Sequence, residues 1–336
     1  MKNIFVPHLN RHIVLGACKL PSPHRPRIKL SSYIDAATIP DSPDPCDYSQ
    51  AALSVIQNVE GNDSVGDCVL AEEAHFIGVV TGNAGTLYSY TAAQTLAAYS
   101  AITGYNPADP STDQGTDPIT CLNYFCKTPY ADGTALAGYA EVDMTNQKEV
   151  EFAISAFGNL KLWAALPDKW VNPFPSSNGF VWDVASPNPE QGHCFGSGSY
   201  NSPLIVGAPN AKGVQIYTWG LIGTLTWAGA TSLCAGASGG GAAVRITPDW
   251  LIKSSGKTPS GFAYADLISD FNKIFGGSVP VPTPAPAPLP PGTVVTPDMV
   301  KAWIDAGFAA SPHGIFTRAT AAQVADAVLA AKWPAS

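Results

Sequence analysis

Asn62-Asp63-Ser64-Val65-Gly66-Asp67-Cys68 runs directly into Val69-Leu70-Ala71-Glu72-Glu73-Ala74-His75-Phe76. The first part is rich in turn residues, and the second reads as a helix. Cys68 therefore stands at a helix start, where free backbone N–H groups and the helix dipole favour negative charge. Such a position turns a thiol into a nucleophile. Gly66 lets backbone approach closely just ahead of it, and Asn62 offers an amide N–H six residues upstream.

A nucleophilic thiol needs a base, and two histidines are candidates. His75 lies seven residues on, which along a helix is ~10.5 Å of rise, too far for a direct hydrogen bond. His75 thus reads as a packed helix residue. His193 follows Gly192 at the head of a predicted strand, His193 to Tyr200, 125 residues after the cysteine. A strand facing a helix N-terminus brings nucleophile and base together across two lobes.

These segments resemble papain-like cysteine peptidases. In that family a glutamine stands six residues before the nucleophile and a glycine two before it; Asn62 and Gly66 hold those places. The family's base leads a strand ending in Gly-Tyr; here Gly192-His193 leads to Ser199-Tyr200. An Asn-Ser-Trp-Gly element then follows, and Ile216-Tyr217-Thr218-Trp219-Gly220 is similar to it. The resemblance covers roughly residues 56 to 255. The chain is also similar to bacterial and phage proteins with N-D-x-x-G-D-C, G-H and T-W-G segments. It implies a two-lobe α+β fold, with a helical lobe carrying the nucleophile helix and an antiparallel β lobe. It also implies Cys68 as nucleophile, His193 as base and Asn62 as oxyanion donor. Tyr217 stands in the family's asparagine position beside Thr218, whose hydroxyl can accept a hydrogen bond from the imidazole. Asp63, Asp67 and Glu72 put negative charge near Cys68, which opposes thiolate formation; Asp67 also suits a helix N-cap.

Three readings stay open. The first is a hydrolase of peptide or amide bonds, acting on a peptide or protein substrate. The second is a catalytically silent structural or binding module of a phage particle or other assembly. The third is a peptidoglycan amide hydrolase of NlpC/P60 type, ranked lower because Asp67-Cys68-Val69-Leu70 lacks that class's Ser-Gly.

Composition bounds the rest. The 336 residues are 46% hydrophobic and 13% charged, with net charge −8. The chain can bury a sizeable core, and its acidity disfavours a nucleic-acid partner. The seven cysteines include no C-x-x-C pair. Free thiols in a reducing compartment are expected, with no metal and no organic cofactor. No apolar run reaches the ~18 residues of a membrane span, so no membrane partner is expected. The first residues lack a secretory h-region, so a cytoplasmic or virion-associated location is expected.

Along the chain, residues 1–55 are Pro-rich and read as an irregular wrapping arm, and 56–278 as the main domain. Helical patterns at 68–76, Thr91–Tyr99 and Gln147–Phe157 precede strand patterns, which argues α+β with segregated lobes. A hairpin is expected from 204–207 and 214–219 around Pro209-Asn210-Ala211-Lys212-Gly213. Residues 279–295 carry seven prolines and read as a polyproline spacer. The tail, 296–336, reads as two short helices that dock on a protein partner. Three further features read as structural. The Gly236–Gly241 run is a turn before a strand at Ala242–Ile246, the Asp109/Asp113/Asp117 segment is a solvated loop, and the aromatics between Leu160 and Asp183 pack a core.

Overall fold

A computed structural model describes residues 1–21, 27–34, 41–202, 211–234, 239–247 and 264–275. The expected linker 279–295, the docking tail 296–336 and the 204–207 half of the expected hairpin lie outside the described residues.

The chain opens with a two-stranded antiparallel pair, β1 (Lys2–Val6) and β2 (Arg11–Leu15). Where an irregular arm was expected, β-branched residues such as Ile4, Val6, Ile13 and Val14 pair as strands. Asn10 turns the corner at φ 48°, a left-handed conformation that asparagine tolerates. A two-residue strand β3 (Cys46–Asp47) and a single helical turn α1 (Leu53–Ile56) lead to the helix α2 (Cys68–Asn83). Every residue of α2 from Cys68 to Val80 is buried. A helix apolar on nearly all sides belongs inside a domain.

Two further helices pack beside it, α3 (Ala92–Thr103) and α4 (Pro118–Phe125). Thr91 starts α3 with a reciprocal capping box to Gln94, and Gly104 ends it in a left-handed turn. Strand β4 (Gly138–Val142), helix α5 (Gln147–Phe157), strand β5 (Leu160–Ala165), the short turn α6 (Asp168–Val171) and strand β6 (Phe180–Trp182) follow. Then come β7 (Gly192–Tyr200), β8 (Gly213–Thr218), β9 (Leu221–Thr226), α7 (Trp227–Cys234), β10 (Gly241–Ile246) and α8 (Tyr264–Phe275).

The strands β3 to β10 form one sheet, in the order β4-β10-β5-β7-β8-β9-β6, with β3 on β7. All pairings are antiparallel except β6 with β9. The fold is α+β, as expected. The order is less segregated than expected, because β4 and β5 enter the sheet on either side of α5. All six residues of β5 are buried. A strand covered on both faces shows no polar/apolar alternation, so its sequence hid it. The helix α2 packs on β7, the strand that begins with Gly192-His193. No helix among the described residues is long and apolar enough to cross a membrane.

Candidate active site

Cys68 is the first residue of α2, and its side chain is almost wholly buried, with the residue 1% exposed. Asp67 precedes it at the N-cap position but makes no side-chain cap bond. Both of its carboxylate oxygens are buried with no hydrogen-bond partner among the described residues. Burial pushes the Asp67 carboxyl well above the usual range; the nearby Asn62 amide counters this only in part. Burial also pushes the Cys68 thiol up to about 12, and the charged form of the Asp67 carboxyl is a further cause that raises it. The Cys194 N–H directed at its sulfur and the Lys161 cation act in the other direction.

His193 heads β7 and is 1% exposed. Its Nε2 lies 2.6 Å from Thr218 Oγ1. Its ring is stacked on Trp219, with centroids 3.6 Å apart and planes 9° from parallel. Nδ1 has no hydrogen-bond partner among the described residues. Burial alone pulls the imidazole down to about 3. The resting pair is thus a neutral thiol and a neutral imidazole.

Cys68, His193, Asn62, His75, Tyr217, Thr218 and Trp219 line one cavity of about 10 Å³, room for about one water. The structure therefore brings the cysteine and the strand histidine to a common space. Asn62 stands at its edge, 3% exposed, with Nδ2 donating to Val65 O at 3.2 Å. Tyr217 is placed differently from Thr218. Its hydroxyl is buried with no partner among the described residues, and its ring meets His75 edge-on at 5.5 Å. His75 Nε2 lies 2.9 Å from Asn58 O, and burial lowers its imidazole to about 4.

The loop expected to be solvated is exposed over 106–111, while its later residues form a wall against the turn before Cys68. Asp113 accepts from Gly66 N at 2.8 Å and from Tyr99 Oη at 2.6 Å, and the Tyr99 hydroxyl in turn accepts from Gly115 N. Asp117 caps α4 through the N–H groups of Ile119 and Thr120. The correction has a plain cause: backbone N–H groups next to the nucleophile need acceptors, and the loop supplies them.

The segment 16–19 lies between this wall and β7. Gly16 N and Cys18 N both donate to Gly192 O, at 3.1 and 3.2 Å. Thr116 N donates to Ala17 O at 3.1 Å, and Lys19 N to Thr116 O at 2.9 Å. The approach is so close that a Cβ on Gly115 or Gly192 would strike the backbone of Ala17 or Cys18. Ala17 also faces Gly66. The groove between the nucleophile's glycine and the base's glycine is thus filled by the chain itself.

A second feature escaped the sequence reading altogether. Glu72 and Glu73 of α2, Lys161 of β5 and Arg245 of β10 form an ion cluster with side chains 0–2% exposed. Two adjacent glutamates on an apolar helix, and single cations inside apolar strands, were the available signal. Among the described residues no group of three or more His, Cys, Asp or Glu is arranged to hold a metal.

No protein-family model matches the sequence, and no curated protein does. Among solved structures the chain is similar to xylellain, a cysteine protease from Xylella fastidiosa, with 13% identity and a TM-score of 0.43 over 70% of this chain and 97% of that one. It is also similar to procathepsin B S9 from Trypanosoma congolense, with 9% identity and a TM-score of 0.41 over 62% and 79%. Digestive procathepsin L 3 from the larval midgut of Tenebrio molitor matches with 13% identity and a TM-score of 0.34 over 72% and 78%.

Proposed function

We propose that this protein is a papain-like cysteine hydrolase of peptide or amide bonds, with Cys68 as nucleophile and His193 as base. One observation carries the reading: Cys68 at a helix start and His193, whose Nδ1 has no partner among the described residues, line one small cavity. Thr218 and Trp219 fix the other edge and the face of the imidazole. In the reaction His193 Nδ1 takes the thiol proton as the sulfur attacks the acyl carbon. The Asn62 amide and the Cys68 N–H, which lies outside the intrahelical pattern, hold the oxyanion. The intermediate collapses as His193 passes the proton to the leaving amine. Water activated by the same imidazole then releases the acid and the thiol.

The filled groove and the neutral resting pair favour a second reading, a silent structural module with the same fold. Iodoacetamide labelling with peptide mapping separates the two. The hydrolase predicts that Cys68 labels faster than half-buried Cys126, and that His193→Ala slows Cys68 about tenfold or more. Equal rates for Cys68 and the other thiols, unchanged by His193→Ala, would sink it.

A further inference from the structure

We infer that Lys161 is a positioning residue for the Cys68 centre: it ties the first turn of α2 to the sheet that carries His193 and stands as the cation behind the nucleophile. Its Nζ donates to Val69 O, one residue after Cys68, at 2.9 Å. The same ammonium reaches Glu72 Oε2 at 2.7 Å and Glu73 Oε1 at 2.9 Å. On the sheet side Lys161 belongs to β5, which pairs with β7 so that Ala164 lies opposite His193. One side chain therefore connects the backbone of the nucleophile's turn to the strand next to the base.

The cluster is complete in itself. Arg245 holds Glu72 through two bonds, 2.6 and 2.7 Å, and reaches Glu73 at 3.1 Å. Tyr130 donates to Glu73 Oε2 at 2.6 Å. Two cations balance two anions with no water needed. Buried ion pairs stabilise weakly compared with well-packed apolar residues of similar volume, so stability alone is a poor reason for four of them beside a thiol.

The charged and titratable groups around Cys68 come from every side. Asp67 lies on α2, Cys18 on the arm segment, and His193 and Cys194 on β7. Lys161 is the cation among them that favours the ionised thiol. Around Lys161 itself stand Cys194, Glu72, Glu73 and Cys121, with Arg245 beyond the glutamates. Removing a positive or a negative member of this set should therefore move Cys68 in opposite directions, which a purely structural cluster would not do.

The inference rests on the proposed function, and full-length protein tests it. Cys68 labelling by iodoacetamide is followed against pH and divided by that of Cys234, a buried thiol that burial pushes up to about 12 as well. The ratio cancels shared opening of the fold. Lys161→Met combined with Glu73→Gln keeps the cluster neutral; it should retain the thermal midpoint, lower the Cys68/Cys234 ratio about tenfold at pH 7 and displace its pH profile upward by about one unit. Glu73→Gln alone leaves the cation in excess and should displace the profile downward; it also serves if the double variant does not fold. Wild-type profiles in the variants that fold would overturn the inference and leave the hydrolase reading intact. A wild-type Cys68 no faster than Cys234 would instead sink the hydrolase reading, and this inference with it.

Discussion

Thr218 places a hydroxyl against the His193 imidazole. At 2.6 Å from His193 Nε2 its oxygen can accept from Nε2–H, which leaves the Nδ1 lone pair free to take a proton. The same hydroxyl can also donate, which would reverse the tautomer. Proton uptake by the ring selects the accepting arrangement. Losing a hydrogen bond to a charged group costs about 1.5–3 kcal/mol. Thr218→Val should therefore slow Cys68 alkylation, or amide hydrolysis, about 10- to 100-fold, while Thr218→Ser stays close to wild type. Single-turnover rates for the three proteins check this, and equal rates for Val and Ser would remove Thr218 from the site. The sequence left Thr218 and Tyr217 as equal partners. Adjacent strand residues point to opposite faces; both line the cavity with His193, but the hydrogen bond at its Nε2 is made with Thr218. Which one makes that bond depends on how β8 lies against β7, a fact about register that neither residue carries. Cys68, Asn62 and His193 stand out in the sequence because a turn, a helix start and a strand start are local patterns.

At the scale of elements, local signals and tertiary ones part company. Helix α5 was read with its observed limits, because Asn146 caps one end and Gly158 terminates the other. The hairpin β1–β2, the strand β5 and the course of residues 16–19 were not read. Each depends on partners more than a hundred residues away or on burial of both faces. The segment 16–19 has a functional consequence. Four backbone hydrogen bonds hold it between Gly192 and Thr116, beside the turn that leads to Cys68. Ala17 is fully buried and faces Gly66, so a large side chain there has no room. Ala17→Phe should displace the segment and raise iodoacetamide labelling of Cys68 several-fold, with Cys234 labelling unchanged. If Cys68 labelling does not rise in a variant that keeps its thermal midpoint, the segment does not control access.

Across the whole molecule, the helical side and the sheet meet over a cluster of buried titratable groups, and acid acts on that cluster. Burial holds His193 near 3 and His75 near 4, against 6.5 for an ordinary imidazole. For Glu73 burial alone would raise the carboxyl, but Lys161 and Arg245 hold it near 2 against 4.5. In all three the unfolded chain binds protons at a higher pH than the fold does. Their contributions are present above the ordinary values and are lost as pH falls towards the folded ones. Glu149 acts oppositely: burial raises it to about 6, so its contribution is full below 4.5 and is lost as pH rises through about 6. Between pH 6.5 and 4 each histidine contributes a slope of about 1.4 kcal/mol per pH unit, while the raised carboxyls of Asp67 and Glu60 act in the same sense as Glu149. The histidine part is therefore read from the urea midpoint of a variant against wild type between pH 7 and pH 4. His75→Gln keeps a donor for Asn58 O and does not titrate, so it should remove about one proton from that slope. A pH dependence of the midpoint identical in wild type and His75→Gln would show that this imidazole is not held neutral by the fold. An imidazole held near 3 stays neutral between pH 7 and pH 5, so Cys68 labelling should lose little of its His193 dependence over that range.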